Sequence, residues 1–455
     1  MSPRGDPSVP ISPLEEWTAR RLGVDRLTRE EVGRWQLERL REVVGWARER
    51  SPYYRRLYES LPDGAPAGFD RIALLPLLDN SVVRERGQEL VCVSLSDISR
   101  VVTMPTSGST GAPKRLYFTT DDLRLTADHF RHGMRALVGP GDRLVVLMPG
   151  QTPGSVGALL RDGLGQDGVD VHSYGFVDDC ADVAACIVGF EATALVGVPG
   201  QVVRLARSAA GRRAGKGRIR NVLLSGDHVT PAMRAAIEDA WDCRVFEHYG
   251  STEIGLGGAV QCRAHAGLHV READLLFEVV DPVTGRPLPD GSEGELVVTT
   301  LTRRGMPMIR LRTGDLVRMA AEPCPCGSVL RSIGTVVGRM GERLPLKGGG
   351  TPTVADLDEA VFGVDAVMGF VATLEADADD PAAAPGAGDR LTVKVELRSE
   401  EPVPAREAAA ADVAGRVATI PAVRSSGLQV RVEESAEAAD VAPSAKQRIV
   451  DRRGT

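Results

Sequence analysis

The sequence predicts an α/β protein, with a large N-terminal domain of mixed, mostly parallel sheets flanked by helices and a small α+β C-terminal domain. Three features carry that expectation. Between residues 100 and 300, apolar runs such as "DRLVVLMP", "TALVGVP" and "RNVLLSG" alternate with helical patterns such as "TPAMRAAIEDAW", the mark of strand-helix-strand units. Further on, "LLFEVVDPVTGRPLPDGSEGELVVTTL" holds two β-rich runs parted by Asp, Pro and Gly, as in an antiparallel pair with a long connection. Three consecutive glycines at 348–350 then precede a helix with Thr353 as N-cap and Asp356 three residues on. After it, "RLTVKVEL", "AREAAAADVAGRVATI" and "GLQVRVEE" read as strand, helix and strand.

In chain order, residues 1 to about 13 are rich in Pro and Ser and have little to bury. "EEVGRWQLERLREVVGWARER" places Leu37, Leu40, Val44 and Ala47 at spacings of three and four, an amphipathic helix that stops before Pro52. Residues 1–80 form the helical start of the large domain, 81–338 its body and 339–455 the small domain. Within the last, "EADADDPAAAPGAGD" at 375–389 is an exposed loop by composition.

A net charge of −7 argues against nucleic acid or an anionic membrane as partner, since neither phosphate nor headgroup meets a basic surface. No run approaches the ~18 apolar residues of a membrane span, and the first thirty residues are charged throughout. A cytoplasmic protein is expected. The seven cysteines, an odd number in a long chain, fit reduced thiols better than a disulfide framework.

Three segments carry chemistry. In "MPTSGSTGAPKRLYFT", Gly108 and Gly111 let backbone amides converge while Thr106, Ser107, Ser109 and Thr110 add hydroxyls and Lys114 a charge, a cradle for polyphosphate. A Walker loop would end in GK[ST] and open into a helix; here Gly111 is followed by Ala112, Pro113 and Lys114, on what reads as a hairpin. A bare surface hairpin is the competing reading. In "EHYGSTEIG", Tyr249 offers a face to a base, Gly250 and Ser251 a turn, Thr252 a hydroxyl for phosphate and Glu253 a carboxylate for a cation. In "MPMIRLRTGDLVRM", Asp315 sits in a Thr-Gly-Asp turn that suits a ribose diol, or serves only to cap that turn.

Together these segments resemble the adenylate-forming superfamily, and within it the phenylacetate-CoA ligase family, over about residues 30–340. The resemblance implies ATP and Mg2+ as cofactor and cation, a small-molecule carboxylic acid as substrate, and CoA or an acyl-carrier protein as acceptor. An acyl-adenylate forms with release of pyrophosphate, and a thiol displaces AMP. By position, Thr106, Ser107, Gly108, Ser109, Thr110, Gly111 and Lys114 would hold the β- and γ-phosphates, and Tyr249 would lie against adenine. Thr252 would face the α-phosphate, Glu253 would hold Mg2+ and Asp315 the ribose, with Ser225, Gly226 and Asp227 on the adenine side and Arg339 on ribose or phosphate. The acid is expected to be aromatic or arylalkanoic; an amine acceptor, a catalytically impaired scaffold and a homodimer stay open.

The chain also departs from that family. Its hinge usually reads Gly-Arg-x-Asp-Asp, but "GRMGE" puts Gly341 at the acid position. The catalytic lysine belongs three residues before an arginine; "PSAKQRIVDRR" has Ala445 there and Lys446 one place later, so Lys446 is the candidate. A last cluster, Cys262 and His265 in "QCRAHAGLH" with Cys324 and Cys326 in "CPCG", suits a structural zinc ion, with His269 as the rival ligand. Some members of the family carry such a site.

Overall fold

A computed structural model of the protein describes residues 10–62, 65–104, 113–334, 336–340, 346, 349–376, 389–435 and 449–453. They fall into two compact units, drawn from Met1–Gly141, Gln151–Asp170 and Phe246–Val336 in the first and Asp142–Gly150, Val171–Val245 and Val337–Thr455 in the second.

In the first unit, the expected amphipathic helix runs Arg29–Arg50 behind a capping box, the Thr28 hydroxyl accepting from the Glu31 amide while the Glu31 carboxylate accepts from that of Thr28. Its inward face does more than pack. The Gln36 amide donates to the carbonyls of Glu272 and Leu275 at 3.1 and 3.0 Å, fixing the entry to strand Leu275–Val280. That strand pairs antiparallel with Glu293–Thr300, the pairing expected from the two β-rich runs, and Glu293–Thr300 pairs again with Leu311–Arg318. Phe277, Val279, Leu296, Val298 and Val317 from these strands close a buried core over Tyr249 and Ile254. A hairpin of Ile98–Met104 and Lys114–Thr119 is closed at Met104 opposite Lys114; residues 105–112, which contain the Thr106–Gly111 cradle, lie outside the described residues.

In the second unit, strands Arg143–Leu147, Ala194–Gly197 and Asn221–Ser225 pair in parallel, as the alternating pattern predicts. Buried Val145, Leu195, Val222 and Leu224 meet Val202 and Leu205 of helix Pro199–Arg207 and Met233, Ile237 and Trp241 of helix Pro231–Trp241. The same core includes Leu357, Val361 and Phe362 of helix Val354–Phe362, whose capping box is the expected Thr353 and Asp356. Buried Arg207 secures the far end of that helix: its guanidinium donates to the carbonyls of Phe362, Val364 and Val367, a cation against the negative end of the helix dipole. Beyond it, the expected strand, helix and strand appear as Asp389–Leu397, Val403–Thr419 and Gln429–Glu434, in a sheet ordered Gln429–Glu434, Asp389–Leu397, Val367–Ala376, Ile449–Asp451. Among the described residues no helix is long and apolar enough to cross a membrane.

Candidate nucleotide and metal sites

The first unit brings four of the expected residues into two contacting pairs. Tyr249 ends strand Arg244–Tyr249, and its hydroxyl donates to Asp315 Oδ2 at 2.7 Å; both residues are buried. The ring meets Phe277 edge-on, so it is held in place by a partner on each side. Asp315 is set by its own turn: the Thr313 hydroxyl accepts from the Asp315 amide at 3.1 Å and donates to the Leu296 carbonyl at 2.7 Å. Gly250 must be glycine, because a Cβ there would lie 1.9 Å from the Leu256 carbonyl oxygen. That oxygen belongs to the segment returned by the Leu256 amide to the Ser251 carbonyl, which closes the 250–256 turn.

The second pair is ionic. Lys114 Nζ lies 2.6 Å from Glu253 Oε1, with the two side chains 18% and 11% exposed. Burial works to raise the Glu253 carboxyl, but the Lys114 charge and hydrogen bond, helped by the Ser251 hydroxyl, hold it below its ordinary value. Glu253 is therefore an anion already carrying a cation at the place where the resemblance puts Mg2+, and a hard carboxylate oxygen fits that ion. Two residues that sequence reasoning missed complete this corner. The Asn80 side-chain carbonyl accepts from Lys114 Nζ at 2.8 Å while its amide donates to the Arg312 carbonyl at 2.7 Å. Buried Arg303 donates to the carbonyls of Glu253 and Tyr117 at 2.7 and 2.9 Å. Neither carries a local motif, since their partners lie far away in sequence.

Ser225 ends the parallel strand Asn221–Ser225 in the second unit, and Gly226 and Asp227 follow it in the loop, Gly226 with φ +91°. Next to them, His228, given no role from sequence, sits between two carboxylates: Nε2 is 2.5 Å from Asp358 Oδ2 and Nδ1 is 3.2 Å from Asp227 Oδ1. Arg339 lies in the short strand Gly338–Arg339 of that unit. Lys446 lies outside the described residues.

The cysteine cluster assembles, with one correction. Cys262, Cys324, Cys326 and His269 are all buried, and their ligand atoms lie within 4.8 Å of one another. The Cys262 and Cys324 sulfurs are 3.6 Å apart, and His269 Nε2 is 3.4 Å from the Cys326 sulfur. A zinc ion with Zn–S bonds of about 2.3 Å has tetrahedral edges of about 3.8 Å, so the donor set fits zinc in both identity and spacing. The favoured histidine, His265, is not in the cluster. It takes φ +51° in a turn closed on the Cys262 carbonyl, which lays its ring on Phe246 at 4.6 Å and its Nδ1 toward Gln261 Oε1. His269 instead lies in strand Leu268–Val270 opposite Ser332, six residues beyond Cys326, and that register carries it to the thiols. The Ala264 amide also points at the Cys262 sulfur, at 3.4 Å.

A family model described as AMP-binding enzyme matches residues 72–302, half of the chain. The phenylacetate-coenzyme A ligase of Thermus thermophilus is 30% identical over 342 residues, 71% of this chain and 74% of that protein. The chain belongs to the AMP-binding enzyme family. It is an acid–thiol ligase of the phenylacetate-CoA ligase kind, and the likeness is not confined to one segment: the Aromatoleum evansii phenylacetate-coenzyme A ligase is 28% identical over 94% of this chain and 96% of its own length. The fold of this ligase matches a 2-hydroxyisobutyryl-CoA ligase solved in the postadenylation state with an acyl-AMP, at TM-score 0.78 and 21% identity over 94% of this chain and 91% of the other.

Proposed function

We propose that this ligase activates an aromatic or arylalkanoic carboxylic acid with ATP and passes the acyl group to CoA. The carboxylate attacks the α-phosphorus, pyrophosphate leaves, and the CoA thiol then displaces AMP from the acyl-adenylate. The observation that carries the reading is the pairing of Tyr249 with Asp315 and of Lys114 with Glu253 in the first unit, at the positions the family gives to adenine, ribose, phosphate and metal. In this reading the Asp315 carboxylate accepts from the ribose hydroxyls, with the Tyr249 hydroxyl keeping it aimed and the Tyr249 ring against the base. Thr252 faces the α-phosphate, Gly250 and Ser251 shape that turn, and Glu253 holds Mg2+. Thr106–Gly111 and Lys114 hold the outer phosphates, Ser225, Gly226 and Asp227 border the adenine, Arg339 meets ribose or phosphate, and Lys446 neutralises charge on the reacting carboxylate. Structural zinc on Cys262, His269, Cys324 and Cys326 leaves no open position for water and takes no part in the chemistry. We place the enzyme in the cytoplasm, in keeping with its seven unpaired cysteines.

An acid-panel assay of pyrophosphate release, read alongside mass spectrometry of the acyl product with CoA, tests both half-reactions. The expected result is release that depends on an aryl or arylalkanoic acid, falls at least ~100-fold in Lys446→Ala, and ends in acyl-CoA. No acid-dependent release across the panel would refute the first half, and adenylate that accumulates unchanged by CoA would refute the second. Asp315→Ala removes a charged acceptor and should raise the KM for ATP by about ten- to a hundredfold while Tyr249→Phe raises it less. An unchanged KM in Asp315→Ala would remove the ribose assignment.

A further inference from the structure

We propose that Lys114 stands in for the metal on Glu253 when no nucleotide is bound, so that free Mg2+ is kept out and Mg2+ and ATP bind as a coupled pair. This rests on reading Glu253 as the Mg2+ ligand and Lys114 as a phosphate contact. The two residues thus have separate duties toward opposite charges, yet they pair with each other at 2.6 Å, largely out of solvent. A lone Mg2+ reaching Glu253 must displace an ammonium and then sit beside it, a like-charge arrangement that poor hydration leaves unscreened. ATP removes that obstacle, because its outer phosphates offer Lys114 a new partner at the moment Glu253 is released. Coupling of this kind is reciprocal: the factor by which nucleotide tightens Mg2+ is the factor by which Mg2+ tightens nucleotide.

The surrounding contacts decide which partner moves. The Glu253 main chain is tied by Arg303, itself buried and bonded across to Tyr117 of the strand that begins at Lys114. The carboxylate therefore stays where it is. Lys114 has a flexible four-carbon stem and a second acceptor in Asn80, which the Arg312 carbonyl holds in place. Its ammonium can leave Glu253 without leaving the site, and Asn80 acts as the positioning residue for that exchange.

Mn2+ is the probe, titrated by calorimetry into wild type, Lys114→Met, Lys114→Arg and Glu253→Gln, each with and without α,β-methylene-ATP, with melting curves taken on every variant. In wild type the nucleotide analogue should tighten Mn2+ at least ~10-fold, within the usual range of coupled sites. Lys114→Met should bind Mn2+ without nucleotide at least ~5-fold more tightly than wild type and lose most of the coupling, whereas Lys114→Arg should still exclude it. Nucleotide-free Mn2+ affinity in a folded Lys114→Met equal to that of wild type would overturn the proposal, as would equal gains in Lys114→Met and Lys114→Arg. Failure of the underlying reading looks different: Glu253→Gln would then leave Mn2+ affinity of the nucleotide complex unchanged. If Lys114→Met does not fold, Asn80→Ala with Lys114→Gln repeats the comparison under the same criteria.

Discussion

Cys324→Ser should release zinc and lower the melting temperature of this ligase by about 5–10 °C. The expectation follows from where the ligands are. Cys262, Cys324, Cys326 and His269 come from two separated stretches of chain and are buried together, so the ion would join the turn after strand Ala259–Gln261 to the loop before strand Ser332–Ile333. Apparent binding free energies of structural zinc reach about 10–16 kcal/mol, and even a fraction of that exceeds what most single substitutions cost. Without the ion the four groups crowd one another: Cys326 is driven toward its thiolate by Cys262 and then Cys324 beside it, while His269, against its burial, is pushed up to about 9 by Cys324 and Cys326, so a charge pair is held out of water. The histidine variants make the test specific. His269→Ala should lose zinc with a fall in melting temperature comparable to Cys324→Ser, while His265→Ala should keep one zinc per chain and melt within about 2 °C of wild type. Purified wild type with no stoichiometric zinc, and a melting temperature indifferent to a chelator, would refute the site.

The two histidines also show what kind of information the sequence holds. Capping at Thr353, the hairpin ending at Lys114 and the antiparallel pair beginning at Leu275 depend on residues a few places apart, and all were readable from local pattern. Choosing His269 over His265 depended on a strand register between His269 and Ser332, and on a left-handed turn at His265 that no neighbour announces. Tyr249 and Asp315 were each legible as motif members, but their mutual hydrogen bond spans 66 residues of sequence. Asn80 and Arg303 had no motif at all, because they act on Lys114 and Glu253 through contacts that exist only after folding. Charge complementarity was readable; the choice of partner was not.

Raising the pH from about 6 to 10 should destabilise the second unit, and Asp358→Asn should flatten that dependence. His228 lies between Asp358 on helix Val354–Phe362 and Asp227 on the loop after strand Asn221–Ser225. Burial opposes its charge, yet Asp227 and Asp358 outweigh it and push the imidazole up from 6.5 to about 10. A folded-state value above the unfolded one means stability fully present below pH 6.5 and lost as pH rises toward 10, by on the order of 2–4 kcal/mol for so enclosed a group. Asp358 changes in the same sense at lower pH. Burial lifts its carboxyl from 3.8 to about 6 against the pull of His228, so ionising it across that window also costs stability as pH rises. Urea titrations from pH 5 to 10 should therefore give an unfolding free energy that falls throughout. In Asp358→Asn the imidazole loses one of its two carboxylate partners and keeps Asp227, so its rise is reduced, and the variant starts about 1–2 kcal/mol lower at pH 7 and loses less than wild type by pH 10. A profile for Asp358→Asn that runs parallel to wild type between pH 7 and 10 would show that His228 does not hold its proton through this contact.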